Sequence, residues 1–126
     1  MFKITSRWGY QDTIHIEWNL GKRCNLDCAY CPEDIHDNHS PHTDIEVLKR
    51  TVSVLNALDK PVRLSLTGGE PSVHPQIEEL LETINAANNI TWLSMTTNAT
   101  RTGKWYVDQS KYVDQYVFSL HYEKNS

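Results

Sequence analysis

Thr13-Ile14-His15-Ile16-Glu17-Trp18-Asn19-Leu20-Gly21-Lys22-Arg23-Cys24-Asn25-Leu26-Asp27-Cys28-Ala29-Tyr30-Cys31 is the stretch around which the chain is arranged. Its first eight residues alternate. Ile14, Ile16, Trp18 and Leu20 fall on one side, and His15, Glu17 and Asn19 on the other. That period of two predicts a strand with one apolar and one polar face. The only three cysteines of the 126-residue chain follow at its C-terminal end, all within eight residues. Thiolates are the usual protein ligands of iron–sulfur clusters, and short spacings let one loop wrap one cluster. Such a cluster takes four ligands and this loop offers three, so one iron would stay open, as a catalytic centre needs. Three thiolates and an imidazole also make a good zinc site. His36, His39 or His42 in the polar loop over residues 33–42 could complete one.

Outward from this stretch, strand and helix patterns alternate. A helix is expected from Thr43, with Glu46 completing a capping box, and Ile45, Leu48, Val52, Leu55 and Leu58 recur at helical spacing. Val62–Thr67 reads as a second strand, with Val62, Leu64 and Leu66 opposite Arg63, Ser65 and Thr67. Gly68-Gly69-Glu70-Pro71 ends it. A second helix is expected near Pro75, a favoured first-turn residue, carrying Ile77, Leu80, Leu81 and Ile84. Ile90–Thr97 is a third strand, residues 103–111 a short helix, and residues 116–120 a fourth strand. Residues 1–12 read as an irregular lead-in.

This alternation argues for parallel strands joined by crossover helices. Parallel strands buried on both faces should be continuously apolar, yet the first, second and fourth keep one polar face. A partial (β/α) barrel accounts for both features, with helices outside and a cavity inside. An antiparallel sheet with a wet face fits the alternation but not the long helical connections. In β/α barrels the active site lies at the C-terminal ends of the strands. Here those ends carry the cysteines, Gly-Gly-Glu-Pro, Thr96-Thr97-Asn98 and Ser119-Leu120-His121, which would meet on one rim. His15, Glu17 and Arg63 would face inward, to shape a pocket or pair with one another. Trp92, Trp105 and Tyr106 read as core or surface aromatics.

Cys-x-x-x-Cys-x-x-Cys, with an aromatic residue before the last Cys, resembles the signature of the radical S-adenosylmethionine (SAM) enzymes. Gly68-Gly69-Glu70-Pro71 resembles their second motif, in the right order and setting. The resemblance runs from about Thr13 to His121 and favours iron–sulfur over zinc. It implies a four-iron, four-sulfur (4Fe-4S) cluster on Cys24, Cys28 and Cys31, with SAM chelating the open iron. Reductive cleavage of SAM would yield methionine and a 5′-deoxyadenosyl radical that abstracts hydrogen from a substrate. The alternative is a zinc- or iron–sulfur-binding module without radical catalysis.

By the same resemblance, the backbone of Tyr30 would contact adenine. Gly68 and Gly69 would let the backbone approach the cofactor, and Glu70 would meet its ammonium group. Thr97 and Asn98 match a Thr-Asn-Gly segment in which Ala99 replaces the glycine. Ser119 would contact the cofactor's carboxylate or ribose, and His121 lies on the same strand face. An electron donor such as a flavodoxin or ferredoxin is implied. The substrate is not readable.

The hydrophobic share of 39% and charged share of 22% suit a globular chain. A net charge of −4 gives no general attraction to nucleic acid. No long apolar run marks a membrane span, and the first residues lack the apolar segment of a signal peptide. An odd, clustered set of cysteines is a poor disulfide framework, and a reducing cytoplasm is the expected compartment. Residues 1–126 read as one domain, the N-terminal part of the family's core truncated to about four parallel strands with flanking helices. A complementing C-terminal fragment is expected as a partner.

Overall fold

The computed structural model describes residues 2–4, 12–21, 23 and 40–119. Nine elements follow in order: β1 (Phe2–Ile4), β2 (Ile14–Asn19), α1 (Ile45–Asn56), β3 (Val62–Thr67), a 3-10 turn (Pro71–Val73), α2 (Ile77–Ala86), β4 (Ile90–Thr97), α3 (Gly103–Gln109) and β5 (Gln115–Phe118). The strands form one sheet in the order β1-β2-β3-β4-β5. β2 to β5 are mutually parallel. Each parallel pair is joined by one of the three α-helices, as crossover geometry demands. The alternating strands therefore belong to a partial β/α barrel, not to an antiparallel sheet with a wet face.

Three expectations are corrected. The lead-in holds a strand: β1 pairs antiparallel with β2, Phe2 opposite Trp18 and Ile4 opposite Ile16. The first helix is capped by Asp44, whose carboxylate accepts from the Glu46 N–H at 2.7 Å. Thr43 does not fill that role; its hydroxyl is turned across to the end of β2, where it donates to Leu20 O at 2.7 Å. The second helix also starts later than Pro75, at Ile77, after the 3-10 turn.

One hydrophobic core lies between the sheet and the helices. Ile16, Trp18, Val62, Leu64, Leu66, Leu93 and Met95 meet Leu48, Val52 and Leu55 of α1 and Ile77, Leu80, Leu81 and Ile84 of α2. Their removal from water is the main force that holds the layers together. Trp105 and Tyr106 of α3 complete the core, and the Tyr106 ring meets Tyr116 and Phe118 edge-on, each at 5.2 Å. No helix among the described residues is long and apolar enough to cross a membrane.

The other sheet face is polar, as the alternation requires. One irregularity sets its composition. Between Val62 and Arg63 the β3–β4 register shifts, so Val62 pairs with Ile90 but Arg63 with Trp92. One extra residue in a strand reverses the facing of everything beyond it. Trp92 and Ser94 therefore join Arg63 and Ser65 on the inner face, while Leu93 and Met95 enter the core.

At the opposite end of the sheet from Gly68, Asn89 ties the connections together. Its side-chain amide donates to Leu55 O, Leu58 O and Lys60 O at 2.9–3.2 Å, and its N–H donates to Asn56 Oδ1 at 2.9 Å. Asn89→Ala leaves those carbonyls without this donor. It should lower stability by about 2 kcal/mol, read as a lower urea midpoint at unchanged m-value.

Candidate functional site

The segments that follow the parallel strands are stitched side by side. Leu20 N donates to Thr67 O at 3.1 Å, Gly69 N to Gly21 O at 2.8 Å, Glu70 N to Arg23 O at 2.9 Å, and Ser119 N to Thr97 O at 2.8 Å. These bonds extend the sheet past its strands and form a rim. Gly68 and Glu70, Thr97 and Asn98, and Ser119 thus lie in neighbouring segments, as the strand ends suggested. Cys24, Cys28, Tyr30, Cys31 and His121 lie outside the described residues, as do His36 and His39.

Gly68 is required here. Its φ is +127°, and a Cβ would stand 2.7 Å from Gly21 O and 3.0 Å from Asn19 Oδ1. No other residue type fits without moving the backbone that leads to Cys24. Gly21 also has a positive φ, +145°.

Glu70 is 4% exposed. Its Oε2 accepts from Thr97 Oγ1 at 2.6 Å, from Ser72 N at 3.2 Å, and from the Ser72 hydroxyl in a shorter contact. Its Oε1 accepts from Asn98 N at 2.6 Å. A buried carboxylate is stable only with such partners. Thr97 spends its single hydroxyl proton on Glu70, so the Tyr106 hydroxyl, 3.1 Å away, donates to Thr97 Oγ1. Tyr106 in turn accepts from Arg101 N at 3.3 Å, and Arg101 Nε and Nη2 donate to Ser72 O at 3.1 and 2.9 Å. The result is a closed ring of bonds around Glu70. Ser72, Arg101 and Tyr106 belong to it, and the sequence reading missed all three in this role. Ser72 alone had a local signal, since a side chain capping the N–H two residues on is a recognised turn pattern.

Asn98 turns the chain after β4, its Oδ1 accepting from Thr100 N at 3.3 Å and Thr100 Oγ1 at 2.6 Å. Ala99 then takes φ +63°. It adopts the left-handed conformation that a glycine would, at a steric cost.

A second tie runs from the rim to α1. His74 Nδ1 accepts from Gln76 N at 3.0 Å, so its proton sits on Nε2, which donates to Thr43 O at 2.6 Å. The His42 ring packs edge-on against His74 at 5.2 Å. Burial, and then the neighbouring His74 and Arg23, lower the His42 pKa, so it stays neutral at pH 7. Among the described residues no group of three or more His, Cys, Asp and Glu side chains could hold a metal ion.

Glu70→Gln should be destabilising. In either amide orientation its NH2 meets a backbone N–H, that of Ser72 or Asn98. A loss of about 2–4 kcal/mol is expected in urea unfolding; a loss under about 1 kcal/mol would remove the carboxylate from this role. Ala99→Gly should act in the opposite sense, raising stability by about 1 kcal/mol in the same assay by relieving the positive φ.

Comparison with known proteins agrees with this arrangement. A sequence profile described as the Radical SAM superfamily matches residues 18–122. The GTP 3′,8-cyclase of Stenotrophomonas maltophilia (strain R551-3) is 32% identical over 102 residues, covering 79% of this chain and 31% of that protein. The GTP 3′,8-cyclase of Pelotomaculum thermopropionicum is 35% identical over 95 residues, covering 70% and 29%. That of Desulforamulus reducens is 37% identical over 88 residues, covering 67% and 26%. The chain thus spans less than a third of the length of these curated relatives. The crystal structure of BtrN in an open conformation superposes with a TM-score of 0.72 at 17% identity, covering 91% of this chain and 51% of that one. At that identity the likeness is one of fold.

Proposed function

The chain belongs to the radical SAM superfamily, and on that premise we propose that Cys24, Cys28 and Cys31 hold a 4Fe-4S cluster and that the rim beside them binds SAM. Members of the family use both groups. The observation that carries the reading is the pair of backbone bonds from Gly69 N to Gly21 O and from Glu70 N to Arg23 O. They tie the backbone just before Cys24 to the Gly-Gly-Glu turn.

The residues present suit these groups. Three thiolates suit a cluster that keeps one iron free for a further ligand. Gly68 leaves no side chain between the two segments, and the space a Cβ would fill is already taken by backbone. Held there, the cluster would supply one-electron reducing chemistry toward the bound SAM.

The chain's own residues orient the cofactor and exclude water. Gly68 and Gly69 supply main-chain groups that a cofactor can approach closely. Glu70 contributes by holding Thr97 and Asn98, since its carboxylate already takes four hydrogen bonds from the chain. Its main chain faces the cofactor in this reading. Ser119, Tyr30 and His121 would complete the cradle. A reductant, such as a flavodoxin or ferredoxin, would supply the electron. The GTP 3′,8-cyclase relatives suggest a nucleotide substrate, and the rest of the pocket would come from protein beyond the strands described here.

Anaerobic reconstitution with iron and sulfide should give a brown protein whose reduced paramagnetic spectrum changes on adding SAM. Cys24→Ala, Cys28→Ala or Cys31→Ala should each abolish stable cluster loading. Ser119→Ala should weaken SAM binding several-fold at normal iron content. A protein lacking all three thiols that still loaded the full cluster would sink the reading.

A further inference from the structure

Tyr106, on the buried side of α3, is 7% exposed and is held from several directions. Its ring meets Trp105, Tyr116 and Phe118 edge-on, each at 5.2 Å. Its carbonyl accepts from the Tyr116 hydroxyl at 3.0 Å. Burial, then the neighbouring Tyr106, raises the Tyr116 pKa to about 12, so that donor keeps its proton at pH 7. Thr102 caps α3 by accepting from Trp105 N at 3.1 Å, and Arg101, just before the cap, donates its N–H to the Tyr106 hydroxyl at 3.3 Å.

A tyrosine placed this firmly has one proton to give, and it goes to Thr97 Oγ1 at 3.1 Å. Ala99 N reaches the same oxygen at 3.4 Å, and the Thr97 proton goes to Glu70 Oε2 at 2.6 Å. A hydroxyl has one donor and two acceptor positions. All three are used here, so the Thr97 rotor is locked. Bonds in such a series polarise one another, and this series ends on a charge. Thr97 is the last residue of β4, and its carbonyl accepts from Ser119 N at 2.8 Å. The next residue, Asn98, donates its N–H to the other oxygen of Glu70 at 2.6 Å. One residue therefore joins the Gly-Gly-Glu turn, the Asn98 turn and Ser119.

We propose that Tyr106 is a positioning residue for the SAM cradle, which acts through the Thr97 hydroxyl to set the spacing of Glu70, Asn98 and Ser119 before SAM arrives. The proposal rests on the radical SAM reading for what the rim binds. Tyr106 works from the helix side of the sheet, in the hydrophobic core behind Thr97. A cradle ordered in advance loses less freedom on binding, and its ligand is held more tightly. Such a residue governs how tightly SAM binds and leaves cluster loading alone, because the three cysteines belong to another segment.

Tyr106→Phe removes the hydroxyl and keeps the ring among its aromatic neighbours. The full chain is reconstituted anaerobically with iron and sulfide, and SAM is titrated against the reduced paramagnetic spectrum. Tyr106→Phe should weaken SAM binding about three- to tenfold, the factor that one ordinary hydrogen bond carries, at unchanged iron content and with the same spectrum at saturation. Asn89→Ala, destabilised at the other end of the sheet, should bind SAM as the unaltered protein does. In a Thr97→Val background Tyr106→Phe should add nothing, since residues that act as one unit are not additive. Before reconstitution, the NMR signal of the Asn98 amide proton should move in Tyr106→Phe and stay in place in Asn89→Ala. Unchanged SAM affinity in Tyr106→Phe, an equal loss in Asn89→Ala, full additivity with Thr97→Val or an unmoved Asn98 signal overturns the proposal. If SAM still changes the cluster spectrum in those cases, the radical SAM reading stands without it. If the Asn98 signal moves but SAM never changes the spectrum of the unaltered protein, the reading of the rim as a SAM site falls and takes the proposal with it.

Discussion

The buried carboxylate of Glu70 is the constraint on which the rim depends. One charge, placed where water cannot reach it, must be met by donors from the chain itself. Ser72 supplies two, Thr97 one and Asn98 one. Thr97 and Asn98 come from the end of β4, so satisfying the charge also fixes the distance between two strand ends. Tyr106 and Arg101 then close the ring, tying α3 and the 3-10 turn to the same point. A charged acceptor gives stronger bonds than a neutral one, and the arrangement holds the rim in one geometry at the expense of adaptability.

Close approach is the second constraint. Gly68 lies against Gly21 O, and the Gly69 and Glu70 amides reach across to the carbonyls of Gly21 and Arg23. A backbone that passes this near another has no room for side chains, and it leaves main-chain groups as the surface offered to a ligand. Thr43 and His74 reinforce the same junction from the side of α1. The segment that leads into the cysteines is thus held by contacts from β3, α1 and the 3-10 turn, although the elements are far apart in sequence.

The sheet divides its two faces sharply. Core residues on the helix side are almost wholly buried, whereas Val117 and Phe118 on β5, the edge of the described sheet, are 47% and 49% exposed. The inner face keeps Arg63, His15 and paired serines in a hollow, and its chemistry is decided by strand register as much as by residue type. The chain belongs to the radical SAM superfamily and spans under a third of the length of the curated relatives it matches.

Much of this was legible in the residue order. Period-two alternation fixed β3 at its observed bounds and placed β2, because facing is a local property of a strand, and Ile90–Thr97 was read as a strand at its observed bounds without that pattern. Helical spacing located α1 and α2, a short helix was expected where α3 lies, and the polar endings of the strands pointed to a common rim. The cysteine triplet and Gly-Gly-Glu-Pro carried the family. Other features were decided only by tertiary contact. β1 has three residues and no periodicity of its own, and it is a strand because β2 offers it an edge. Asp44 caps α1 by accepting the Glu46 N–H, while the Thr43 hydroxyl is turned across the junction to Leu20 O. Glu70 reads in sequence as a charge for a ligand, yet its carboxylate is turned inward by donors lying up to 28 residues away. The shift that sets Trp92 against Arg63 has no local mark at all. Each depends on which groups meet after the chain has folded, and a local pattern of apolar and polar residues does not encode those meetings.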